Sequence, residues 1–173
     1  MRIALVWAYN SWKTTLAKDL YKRLKEKWYK LDVNKEREIA KLIGFDFREN
    51  TKEELDMYQT KLFRDLYLIH SKNSKIITDN PLVNTLWYTK DYKIESAVKE
   101  VAEDLYDIFF ICAPTKIKDD WVRHIDEEFR KQVFDKIINY IKQIKDKPIV
   151  LLSGSKEKRL NEAMEVIKNL EKK

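Results

Sequence analysis

Lys13 and Thr14 stand side by side where a short apolar run, Arg2 to Val6, gives way to a helical pattern. A lysine there sets a flexible cation beside the unpaired N–H groups of a helix start, and the threonine offers a hydroxyl oxygen to a hard divalent cation. Their spacing from the strand is that of G-x-x-x-x-G-K-[ST], in which backbone N–H groups cradle phosphates, Lys reaches the β and γ oxygens and Ser/Thr holds Mg²⁺. Trp7 and Trp12 occupy its two glycine positions. The loop therefore points to triphosphate chemistry, with ATP and Mg²⁺ as cofactors and Trp7, Asn10, Ser11, Trp12, Lys13, Thr14 and Thr15 as contacts. Lys13 also reads as a solvated helix-start lysine, and Thr14 as an ordinary helix cap.

A second group complements the first. Asp79 closes the apolar run Lys75-Ile76-Ile77-Thr78, where a carboxylate can share the Mg²⁺ with Thr14 or accept a hydroxyl proton during phosphoryl transfer. Before Pro81 it also reads as a turn carboxylate. Arg123 and Arg130 lie two helical turns apart, so both guanidinium groups can face one developing phosphate charge, or an ordinary surface of ion pairs. Cys112, in the run Ile108 to Ala113, reads as structural, and His70 and His124 lack the companions of a metal site.

The elements that must position these residues alternate. Arg2–Val6, Lys75–Thr78, Ile108–Cys112 and Pro148–Leu152 have the length and apolar content of buried parallel strands, with Tyr29–Val33 a weaker fifth. Helical stretches fall at Lys13–Trp28, Lys35–Ile43, Lys52–Ser71, Ser96–Asp104, Asp119–Lys145 and Lys156–Lys172. In the third, Leu55, Tyr58, Leu62, Leu66 and Ile69 recur at the period of an amphipathic helix. Such alternation predicts an α/β fold with helices on both faces of a parallel sheet and ligands at the carboxyl ends of its strands.

In this context the chain resembles the small ATP-dependent kinases of the P-loop class, particularly the nicotinamide riboside kinase-like and phage nucleotide kinase-like branch. The resemblance implies a P-loop NTPase three-layer sandwich with about five strands and a helical lid at about 115–131. It assigns Thr78-Asp79-Asn80 to the acidic strand end near Mg²⁺ and acceptor, although Asn80 departs from the Arg or acidic residue often found there. Asp119-Asp120-Trp121-Val122-Arg123 with Arg130 resembles the lid that closes over the phosphates, with Trp121 at a third glycine position. Ser153 and Ser155 fall where the family contacts adenine, and Arg37 and Gln59 where it contacts the acceptor. The implied activity is phosphoryl transfer from ATP to a nucleoside, nucleotide or related small acceptor, impaired by Trp in the phosphate loop. A catalytically inactive binding protein and a polynucleotide 5′-end kinase stand as alternatives.

Composition narrows the classes further. The net charge of +6 comes from 35 Lys+Arg against 29 Asp+Glu, spread in mixed-sign runs and not in the one-sided basic patch usual for a nucleic-acid binder, so it suits a small anionic ligand at least as well. No stretch approaches the ~20 apolar residues of a membrane span. With one cysteine and no signal-like segment, a single cytoplasmic domain over residues 1–173 is expected, with a homodimer left open. Two glycines are few, since average usage of about 7% would give roughly a dozen. An indole at a phosphate-loop glycine is expected to strain the backbone and to fill the space phosphates would use. Trp28 and Trp87, off the motif, are expected to pack partly buried.

Overall fold

A computed structural model describes residues 1–6, 11–46, 49–87, 92–113 and 127–172. Five strands run β1 Arg2–Val6, β2 Lys30–Asp32, β3 Ile76–Thr78, β4 Ile108–Cys112 and β5 Ile149–Leu152. The helices are α1 Lys13–Leu24, α2 Lys35–Ile43, α3 Lys52–Lys72, α4 Tyr92–Leu105, α5 Glu127–Ile141 and α6 Lys156–Leu170. All strand pairs are parallel and the order is β2-β3-β1-β4-β5, so β1 lies at the centre with β3 and β4 beside it. The chain leaving β1 therefore emerges mid-sheet, where neighbouring strands supply groups from both sides. This is the α/β P-loop NTPase architecture expected from the sequence.

The central strands are apolar almost throughout because both faces are covered. On one face, Ala4, Val6, Phe109 and Ile111 pack with residues of α2, α3, α4 and α5. On the other, Ile3, Leu5, Ile77, Phe110 and Cys112 pack with Leu16 and Leu20 of α1 and Ala163 and Ile167 of α6. The alternation along β1 and β4 is the period of two that a pleated strand imposes. α3 starts at a capping box in which Thr51 and Glu54 satisfy each other's backbone N–H groups.

Several expected boundaries move. α1 ends at Leu24, not Trp28: Lys25–Lys27 tighten into a 3₁₀ turn and Trp28, at φ 62°, closes it by donating its N–H to the Lys25 carbonyl. That left-handed residue turns its side chain outward, and Trp28 is 89% exposed, which corrects the expected packing role. α4 begins at Tyr92, and a 3₁₀ helix at Leu82–Trp87 follows Pro81 where the sequence suggested no element. Of the expected lid, residues 115–126 lie outside the described residues, and 127–131 form the start of α5. Among the described residues, no helix is long and apolar enough to cross a membrane.

Candidate active site

α1 opens on Trp12, whose backbone is left-handed at φ 59° and ψ 20° and whose side chain supplies no cap. A non-glycine residue held there costs about 1–2 kcal/mol, so the position before Lys13 does make the conformational demand that glycine meets freely. The turn aims the following residues across the sheet. Thr14 donates its hydroxyl hydrogen to Oδ2 of Asp79, joining the start of α1 to the end of β3. The other oxygen, Oδ1, accepts the backbone N–H of Asn34 at 3.2 Å. Burial raises the Asp79 pKa; the charge of Lys13 and the hydrogen bonds from Thr14 and Asn34 oppose that rise, while Asp32 adds to it. The structure thus brings Lys13, Thr14 and Asp79 together. A hydroxyl and a carboxylate oxygen in contact suit a hard cation such as Mg²⁺, which takes few protein ligands and completes its shell with water and phosphate.

The indole of Trp12 does not bury itself in an apolar space, as its bulk suggested. It lies against α6, with Lys156 Nζ 5.0 Å and Arg159 Cζ 5.4 Å from its ring centroid, and remains 37% exposed. Arg159 itself is buried. It donates from Nε to the Gly154 carbonyl (3.0 Å) and from one terminal nitrogen to the carbonyls of Ser11 (3.1 Å) and Ala113 (2.8 Å). One guanidinium thereby ties the phosphate loop to the chain leaving β4 and to the β5–α6 turn. Buried Ser11 is held in that tie. The Ser155 side chain caps α6 by accepting the Lys158 N–H, and Ser153 and Ser155 are both exposed. Cys112 is sealed at the end of β4, its thiol pushed up to about 12 by burial despite the charges of Lys13 and Arg159.

The two residues predicted to contact an acceptor differ in burial: Arg37 is exposed on α2, whereas Gln59 on α3 is fully buried, with no hydrogen-bond partner for Nε2 or Oε1 among the described residues. Beyond Asp79, Asn84 Nδ2 donates to Asn80 Oδ1 at 3.3 Å, leaving Asn80 Nδ2 and Asn84 Oδ1 likewise unpartnered. Buried amides without partners each cost about 1–3 kcal/mol, so the pair that follows β3 is chemically informative. Thr15 is half-buried on α1. Trp7, Asn10 and Arg123 lie outside the described residues, as does the side chain of Arg130, whose backbone belongs to α5.

Sequence reasoning missed Arg159 and a buried group formed by Asp32, His70 and Tyr106. The available signal was position: Arg159 precedes Ala163 and Ile167 by four and eight residues, and His70 follows Leu66 by four, so each lies on a buried stripe.

A family model described as an AAA domain, AAA_28, matches residues 2–159. No curated protein matches the sequence. Among solved structures, the NadR protein in complex with NR is 16% identical at a TM-score of 0.72, covering 97% of this chain and 50% of that one. Thymidylate kinase from Ehrlichia chaffeensis is 18% identical at 0.69, covering 96% and 98%. Shikimate kinase from Acinetobacter baumannii, in complex with shikimate, is 13% identical at 0.68, covering 99% and 95%. At these identities the likeness is one of fold.

Proposed function

This chain belongs to the AAA_28 family of AAA domains, and we propose that it moves the γ-phosphoryl group of ATP to a nucleoside, a nucleotide or a related small acceptor. The observation that carries the reading is the hydrogen bond from Thr14 to Asp79, which joins the Lys-Thr helix start to the acidic end of β3. Phosphoryl transfer needs positioning and charge stabilisation more than covalent help, and these residues divide that work. Lys13 neutralises charge on the β and γ oxygens. Thr14 and Asp79 hold Mg²⁺, which when bound offsets phosphate charge. In its other role, standing free of the metal, the Asp79 carboxylate accepts the proton of an acceptor hydroxyl.

The acceptor side supports an uncharged, hydrogen-bonding group at its deep end. Gln59, Asn80 and Asn84 offer unpaired donors and acceptors, while Arg37 stands exposed. Two of the similar structures hold small molecules, shikimate and NR. Arg123 and Arg130 complete the proposal as cations closing on the transferring phosphate, with Ser153 and Ser155 near the base.

A second reading, a binding protein that no longer transfers phosphate, is favoured by Trp12, which puts an indole and a strained backbone beside Lys13. Calorimetric titration with ATP and Mg²⁺, followed in parallel by Trp fluorescence, separates the two. Micromolar binding followed by turnover of a nucleoside or nucleotide supports transfer; no binding at millimolar ATP removes it.

A further inference from the structure

Behind Asp79 lies a closed set of buried hydrogen bonds. His70 Nε2 is 2.9 Å from Asp32 Oδ2, and His70 Nδ1 is 2.6 Å from the Tyr106 hydroxyl. That hydroxyl accepts the backbone N–H of Leu82 at 2.8 Å. With Tyr106 donating to Nδ1 and Nε2–H donating to Asp32, every member is satisfied, and this fixes the tautomer. Asp32 Oδ2 also accepts the Thr78 hydroxyl at 3.2 Å, and Thr78 Oγ1 in turn accepts the Asn80 N–H at 3.0 Å. The Asp32 carbonyl accepts the N–H of Asp79 itself at 3.2 Å. The segment from Thr78 to Leu82 is therefore gripped on both sides of Asp79 by groups from β2, α3 and the end of α4.

We infer that His70, braced by Asp32 and Tyr106, is a positioning residue that fixes the Asp79 carboxylate against Thr14. His70 and Tyr106 are fully buried, so they act through Asp79 and not on a ligand. The inference rests on the proposed role of Asp79, but its first test needs no nucleotide. In Tyr106→Phe, which keeps the ring and removes one hydroxyl, the amide hydrogens of Asp79, Asn80 and Leu82 should exchange at least about tenfold faster, while those of β1 and β4 hold. Ile167→Val, on the opposite face of the sheet, is the control for general destabilisation. In turnover, Tyr106→Phe and His70→Leu should lower kcat with the KM for ATP unchanged. Unaltered exchange at these amides relative to the control overturns the inference whatever the protein's activity. Altered exchange in a protein that binds no ATP leaves the brace standing and removes only the catalytic reading.

A different observation carries a second inference. Trp12 and Trp28 are both left-handed, at φ 59° and 62°, a state rare for any bulky residue. Trp7 and Trp12 hold the two glycine positions of the phosphate motif, Trp121 resembles a third, and the chain has five Trp against two Gly. We infer that Trp7, Trp12, Trp28 and Trp121 mark positions where the working protein carries glycine. Their codon is then UGA, which some genetic codes assign to Trp and others to Gly. Sequencing the gene and measuring peptide masses of the protein from its own cells decide this. UGA codons with glycine masses are expected; UGG codons, or Trp masses at these positions, overturn it.

Discussion

The guanidinium carbon of Arg159 sits 5.4 Å from the centroid of the Trp12 indole, while the same guanidinium holds the carbonyl of Ser11, the residue just before that Trp. Side chain and backbone of the phosphate loop are thus held by one buried cation. The two contacts differ in weight. A cation–π contact at a partly exposed ring contributes about 0.5–1 kcal/mol, whereas leaving buried carbonyls without a donor costs about 1–3 kcal/mol.

Arg159→Met should accordingly destabilise the fold by about 2–3 kcal/mol, mostly through the orphaned carbonyls of Ser11, Ala113 and Gly154. Arg159→Lys should recover only part of this, since an ammonium lacks the planar fork that reaches three acceptors. Urea denaturation of the two variants checks the order.

Trp12→Gly removes both a strain and a contact. Relief of the left-handed backbone gives back about 1–2 kcal/mol, and loss of the stacked cations takes away a similar amount. Stability should change little. Affinity for ATP with Mg²⁺ should rise about tenfold or more, because the backbone before Lys13 can then approach phosphate. Calorimetry on the Trp12 protein, Trp12→Gly and Trp12→Ala makes the comparison, and equal affinity in all three would contradict the account of the loop.

How far the sequence discloses this site depends on how local each signal is. Lys13, Thr14 and Asp79 are legible because a strand end, a helix start and a carboxylate after an apolar run are short-range patterns, and the parallel sheet forces them to one edge. β4 and α2 appear at their expected bounds for the same reason. Arg159 and His70 are only half legible: their spacing from buried apolar residues puts them on buried helix stripes, but their partners come from segments distant in the chain, which no local pattern discloses. Trp28 shows the converse: its aromatic character argued for packing, but a left-handed turn decided its exposure.

Gln59→Leu should stabilise the unliganded protein by about 1 kcal/mol, because an amide with neither polar atom paired is replaced by a side chain of similar volume. The same change should abolish acceptor turnover while leaving ATP binding intact. Thermal unfolding and an acceptor screen read the two effects separately; a destabilised variant would mean the amide is partnered in solution.

Asp79 gives the pH dependence its sign. Its folded pKa lies above the ordinary 3.8, chiefly through burial, so the folded protein holds this proton more tightly than the unfolded chain does. Stability contributed by Asp79 is then full below pH 3.8 and declines as pH rises through the raised folded value, after which it stays low. Asp79→Asn removes that decline. Relative to wild type, the variant should gain stability as pH is raised across this window and keep the gain at neutral pH, with about 2–4 °C in Tm for each kcal/mol in a chain of this size. Phosphoryl transfer should be lost at every pH, because an amide neither accepts the acceptor's proton nor holds Mg²⁺ as a carboxylate does. Thermal melts of both proteins over a pH series make the test. Parallel curves would mean that Asp79 is as well solvated in the fold as in the open chain.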